Sequence, residues 1–216
     1  MPRPDPARLG NLLATGASLL GCPLTDLQIS QFLDYLADLK NWNRRMNLTA
    51  IRSDQDVIEK HFLDSLAGLK AIEKRPGQVL LDVGTGAGFP GVPLKIGYPE
   101  LRLTLVEASQ KKAAFLHHLC GRLRLSDTIV LNQRIEVLSE ANERYDLIVV
   151  RAFAKIEVVL DKTMKLLSPK GRLILYQGRP ESSDQVRSLN GWQCTIPYEL
   201  PFSKSHRRLE IFTRPP

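Results

Sequence analysis

Apolar residues recur at helical spacing in the first third of the chain and at strand spacing thereafter. Thr25-Asp26-Leu27-Gln28 forms a capping box, in which two side-chain oxygens accept amide hydrogens that the first helical turn leaves open. Ile29, Phe32, Leu33, Leu36 and Leu39 follow on one face, so a helix is predicted up to the asparagine-rich stretch at 41–49. A second helix is predicted after Ser53, with Asp56 at its third position and Ile58, Phe62, Leu66 and Leu69 on one face. Lys74-Arg75-Pro76-Gly77 closes this helical region.

Strand patterns then appear at 78–83, 102–107, 128–131, 145–150 and 171–176, separated by segments long enough for crossover helices. The tail differs: 192–199 and 207–213 are joined by a short link with Pro and Ser, which suits an antiparallel pair. The expected architecture is a doubly wound α/β sheet of seven strands, mostly parallel, ending in an antiparallel hairpin. Residues 1–77 are read as a helical region packed on the core and 78–216 as the domain built on the sheet. No internal repeat or low-complexity segment interrupts the chain.

The first strand runs into Asp82-Val83-Gly84-Thr85-Gly86-Ala87-Gly88-Phe89-Pro90-Gly91, a glycine-rich turn expected to open a helix, with Pro90 in its first turn. Such a turn lets backbone approach a nucleotide-like ligand. Glu107 closes the next strand 23 residues beyond Gly84, a spacing that suits a carboxylate gripping ribose hydroxyls. Read from Gly86, the turn satisfies the dinucleotide fingerprint G-x-G-x-x-G. Read from Asp82, it gives D-x-G-x-G-x-G, which resembles the first motif of class I methyltransferases. The strand ends at Asp82 and Gly84, so the methyltransferase register fits better. No room remains for the separate catalytic domain that usually follows a dinucleotide-binding one.

With 43% hydrophobic and 25% charged residues the chain is ordinary globular material. Its net charge of +7 would draw a polyanion. Cys22, Cys120 and Cys194 are odd in number and lack metal-ligand spacing, and no run is long and apolar enough for a signal peptide or membrane span. A reduced, cytoplasmic, monomeric protein without a bound metal is expected.

The motifs together resemble the RsmG family, also called GidB, the bacterial 16S ribosomal RNA guanine-N7 methyltransferases. They are Trp42-Asn43 with Asn47-Leu48-Thr49, His61-Phe62-Leu63-Asp64-Ser65, the block from Asp82 to Leu94, Arg134-Ile135-Glu136, and Arg151-Ala152-Phe153-Ala154. The resemblance implies S-adenosylmethionine as cofactor, held by Asp82, Gly84, Gly86 and Phe89, with Glu107, Ala108 and Ser109 at the ribose and adenine side. Ile135 and Glu136 would flank the adenine. Arg151, at the end of the fourth strand, would contact cofactor or position guanine. Departures are Val150 where Ser or Ala is common, Gln177 in place of Lys, and Arg208 in place of His.

The implied substrate is a guanine in the 530-loop region of 16S ribosomal RNA, free or in the small ribosomal subunit. Its N7 carries a lone pair and no proton, so positioning rather than a base should carry the reaction. The sequence accordingly lacks the Asp/Asn-Pro-Pro-aromatic motif of amino methylation and the Pro-Cys nucleophile of pyrimidine-carbon methylation. His61 and Asp64, three residues apart on a predicted helix, are read as a structural pair. Arg44 and Arg45, with Lys204, Arg207 and Arg208, are the candidate RNA contacts, placed in loops beside the domain. The competing readings are a basic RNA-binding module without catalysis and a small-molecule methyltransferase.

Overall fold

The computed structural model describes residues 5–138, 143–151, 155–178 and 186–214. It opens with α1 (Pro6–Leu19), which the sequence reading had not singled out. Its start signal is local: Asp5 accepts the Ala7 amide hydrogen at 3.0 Å and Pro6 occupies the first turn. Helix α2 (Asp26–Met46) carries the predicted capping box and ends on Asn47 at φ 50.

The second predicted helix is not one regular helix. It consists of α3 (Asp54–Val57), a π-helical segment (Ile58–Leu63), α4 (Asp64–Leu66) and a 3-10 turn (Ala67–Ala71). Packing explains the departure. Ile58, Phe62, Leu63, Ser65 and Leu66 are fully buried while Lys60 stays half-exposed, so most of the segment is enclosed rather than lying on a surface. Phe62 meets Phe32 and Tyr35 of α2, each at 5.0 Å between ring centroids.

Seven strands follow: β1 (Val79–Val83), β2 (Arg102–Val106), β3 (Thr128–Leu131), β4 (Tyr145–Arg151), β5 (Leu167–Gln177), β6 (Trp192–Glu199) and β7 (His206–Thr213). Their order is β3-β2-β1-β4-β5-β7-β6, with β7 antiparallel to both neighbours and the remaining neighbouring pairs parallel. β5 begins at Leu167 rather than Gly171, across a register shift opposite Tyr145 and Leu147. The crossovers are α5 (Gly91–Gly97), α6 (Gln110–Arg122), α7 (Ile135–Leu138) and α8 (Ile156–Thr163).

Strand alternation sorts the core into two layers. Leu80, Leu103, Leu105, Leu147, Val149, Ile174 and Leu209 join the apolar faces of α1, α2, α5, α6 and the segment 57–72. Leu81, Val106, Ile148, Val150, Leu173 and Phe212 meet Ile135, Leu138, Ile156 and Val159 of α7 and α8. Each such fully buried side chain contributes roughly 1.5–3 kcal/mol. The N-terminal helices therefore share one continuous core with the sheet, and they reach its carboxyl edge. Among the described residues no helix is long and apolar enough to cross a membrane.

Candidate active site

The turn after β1 is built around a fully buried carboxylate. Asp82 Oδ2 accepts the Thr85 hydroxyl at 2.6 Å and the Gly91 amide at 2.7 Å, closing the loop onto the start of α5. Burial pushes Asp82 up to about 7, against the lowering effect of these two hydrogen bonds. Asp82 is thus a clasp beneath the turn; its carboxylate does not line the cavity as the resemblance implied. A Cβ on Gly91 would lie 2.6 Å from Asp82 Oδ2, so this glycine serves close packing. Gly86 differs: at φ 62 it takes the left-handed conformation, and a Cβ there would meet only the Gly84 carbonyl, at 4.0 Å.

Above the turn, Gly84, Glu107, Ala108, Ile135 and Glu136 line a cavity of about 380 Å³ with Val83, Val106, Gln133, Arg134 and Lys162. The sequence reading named the first five. Glu107, 8% exposed, accepts the Gly86 amide at 3.0 Å and the Ser109 amide at 2.8 Å. It therefore ties the glycine turn to the end of β2, and Gly86 and Ser109 contribute through their backbone. Glu136 hydrogen-bonds Lys162 at 2.5 Å, which holds its carboxyl below the usual range. Asn132 donates to the carbonyls of Glu107 at 2.9 Å and Ala108 at 3.2 Å and so fixes the cavity's rim. No spacing in the sequence marks Asn132 or Lys162, whose roles arise from tertiary packing.

Phe89 faces elsewhere. Its ring stacks between Tyr35 at 5.4 Å and His61 at 4.5 Å, with the Arg151 guanidinium 5.6 Å from its centroid. It is buried among the N-terminal helices and does not wall the 380 Å³ cavity. The peptide bond from Phe89 to Pro90 is cis, and Pro90 caps α5 rather than occupying its first turn.

Arg151 is also outside that cavity. Its guanidinium donates to His61 Nδ1 at 2.6 Å, the Lys60 carbonyl at 3.1 Å and Ser65 Oγ at 3.3 Å, and pairs with Asp64 Oδ2 at 3.1 Å. His61 and Asp64 accordingly do not pair with each other, as their spacing suggested; both converge on Arg151. Arginine has no acceptor, so His61 Nδ1 must present its lone pair. Burial and the Arg151 charge lower His61 to about 3, in agreement with a neutral ring. Asp64 Oδ1 also accepts the Tyr198 hydroxyl at 2.8 Å and lies 3.7 Å from Arg207 Nε. Residues 152–154 of the fourth-strand motif lie outside the described residues.

The basic candidates divide. Arg44 and Arg45 are exposed in the last turn of α2, and Lys204 is exposed in the turn between β6 and β7. Arg207 and Arg208 belong to β7, not to a loop. Arg208 pairs with Glu210 at 3.0 Å, with side-chain exposures of 15% and 1%, which turns it inward.

A Rossmann-like sheet with β7 reversed, and a cavity at the carboxyl ends of β1 and β2, is the class I methyltransferase fold. Solved structures share it: precorrin-6y C5,15-methyltransferase from Geobacter metallireducens (TM-score 0.53, 11% identity, 70% of this chain and 87% of that one). So does MtNAS in complex with S-adenosylmethionine (TM-score 0.57, 16% identity, 97% and 89%). The particular family follows from sequence. The family model for GidB, rRNA small subunit methyltransferase G, matches residues 28–209, and the chain belongs to that family. Relatives named ribosomal RNA small subunit methyltransferase G include one from Acetivibrio thermocellus, 37% identical over 96% of this chain and 89% of its own length. Another, from Chloroflexus aggregans, is 42% identical over 81% and 74%.

Proposed function

We propose that this methyltransferase moves the methyl group of S-adenosylmethionine to N7 of a guanine in the 530-loop region of 16S ribosomal RNA. The observation that carries the reading is the convergence of the Gly84–Gly86 turn and the Glu107 carboxylate on one cavity, in a chain of the small-subunit rRNA methyltransferase family. The residues fit the cofactor. Glu107 is an acceptor for ribose hydroxyls, Ile135 offers an apolar surface to an adenine ring, and Gly86 leaves open the space a Cβ would take. Bound S-adenosylmethionine supplies an electrophilic methyl group.

Guanine N7 as acceptor rests on the motif resemblance and is supported by the neighbouring side chains. His61, the imidazole beside the glycine turn, gives Nδ1 to Arg151 and Nε2 to Thr49, so it is committed to hydrogen bonds rather than poised as a base. A lone-pair acceptor needs no base; it needs orientation. Arg44, Arg45, Lys204 and Arg207 are the side chains we assign to RNA phosphates.

The test is transfer of labelled methyl from S-adenosylmethionine to 16S RNA and to small subunits lacking the modification. Label in that RNA, absent with Gly84→Asp, is the expected result. Label in another RNA, or in a small molecule only, overturns the substrate.

A further inference from the structure

We propose that His61 is a positioning residue for methyl transfer, acting as a neutral bridge from Arg151 at the end of β4 to Thr49 in the segment after α2. The inference rests on the proposed reaction for its consequence, but the bridge itself follows from hydrogen-bond chemistry. Arg151 donates to Nδ1 at 2.6 Å and has no lone pair to offer, so the ring proton sits on Nε2. Nε2 lies 2.8 Å from Thr49 Oγ1 and donates to it. The same hydroxyl oxygen accepts the Ile51 amide at 3.1 Å. The Asn43 side chain clasps Thr49's backbone from both sides, donating to its carbonyl at 2.9 Å and accepting its amide at 3.0 Å.

The bridge spans two parts of the molecule. At one end is Arg151, the last residue of β4, on the sheet edge where ligands bind in open α/β folds. At the other is the segment between α2 and α3, which follows Arg44 and Arg45 and contains exposed Arg52. The imidazole is held flat against Phe89 of the glycine turn, at 4.5 Å and 17°. One ring therefore touches the cofactor turn, the β4 terminus and the basic segment, and fixes their mutual distance. The π-helical turn makes this reach possible by presenting the Lys60 and His61 carbonyls to the same guanidinium, at 3.1 and 3.5 Å.

Two measurements test the bridge. The first is the tautomer of His61 in the full-length protein, by long-range nitrogen–proton NMR across its four histidines, with His61→Asn for assignment. The expected signature is an unprotonated Nδ1 and a protonated Nε2 from pH 8 down to about 5. A tautomer mixture, or an imidazolium at pH 6, overturns the bridge whatever the substrate. The second compares Thr49→Val and Thr49→Ser. Val removes the acceptor while leaving the Asn43 clasp on the backbone, and should lower kcat per folded protein by about 10- to 100-fold with cofactor affinity unchanged. Ser should restore it. A Val variant with wild-type kcat and only a lower melting temperature would make His61 merely structural. Failure of the wild-type protein to methylate small-subunit RNA would instead sink the proposed reaction, leaving the tautomer result to decide the bridge.

Discussion

Asp82 Oδ2 receives the amide hydrogen of Gly91, nine residues downstream, at 2.7 Å. The bond folds the glycine turn over the end of β1 and makes Gly86 and Gly91 unequal. Gly91→Ala would push a methyl group against Asp82 and Leu105, at 2.6 and 2.8 Å, and should cost about 1–3 kcal/mol of stability. Gly86→Ala meets open space but a left-handed backbone, and should cost about 1–2 kcal/mol while also lowering cofactor affinity. Thermal melts and calorimetry separate the two effects; equal losses of cofactor affinity would contradict this division.

The Asp82 carboxyl is raised from 3.8 to about 7 by burial. A raised carboxyl pKa favours the fold at low pH, and that contribution disappears as pH rises through about 7. Asp82→Asn keeps an acceptor for Gly91 without a charge to bury. The variant should gain on the wild type as pH is raised from 5 to 8 in melting experiments; a constant difference would show that Asp82 stays ionised throughout.

His61 behaves oppositely. Lowered from 6.5 to about 3, it contributes stability that is present above pH 6.5 and drains away as pH falls toward 3. The wild type should lose more stability than His61→Asn between pH 7 and 4. Parallel curves would place the imidazole in solvent.

Asp64 holds Arg151, Tyr198 and, more loosely, Arg207, and it is 10% exposed in its side chain. Asp64→Ala leaves the largely enclosed Arg151 guanidinium without its counter-charge, though still hydrogen-bonded to His61, Lys60 and Ser65, and should cost about 3 kcal/mol. Denaturant unfolding reads this directly, and a loss near zero would mean that the pair is screened by water.

For RNA, Arg44→Ala with Arg45→Ala should weaken binding most at low salt. The salt slope should flatten by about one logarithmic unit per lost phosphate contact. Arg208→Ala should leave the slope unchanged because Arg208 is paired with nearly buried Glu210. Reversed outcomes would move the RNA path to the β7 strand.

What the sequence made legible was local. The capping box at Thr25, the glycine turn, Glu107 and the alternating strands depend on neighbours a few residues away; of the cavity walls, Gly84 and Glu107 follow from strand ends, whereas Ala108, Ile135 and Glu136 were legible only through the family resemblance. Phe89 read as a pocket border through the family resemblance; its partners Tyr35 and His61 come from other elements. The π-helical register of 58–63 keeps Ile58, Phe62 and Leu63 fully buried, and apolar periodicity does not distinguish a π turn from an α turn. His61 and Asp64 looked like each other's partners because Arg151, some 90 residues on, is brought to them only by the fold. A strand reverses side-chain direction at each step, so Arg207 and Arg208 read as one basic patch in sequence but meet Asp64 and Glu210 separately.

The most direct test of the proposed reaction locates the methyl group. N7-methylguanine carries a positive charge that opens its ring to borohydride and weakens its glycosidic bond, so aniline then cuts the RNA at that base. Small-subunit RNA from cells lacking this protein, treated with the protein and S-adenosylmethionine, should be cut at one guanine in the 530-loop region and left intact there without treatment. Cleavage of the untreated RNA at the same guanine, or labelled RNA that resists cleavage there, would contradict the account.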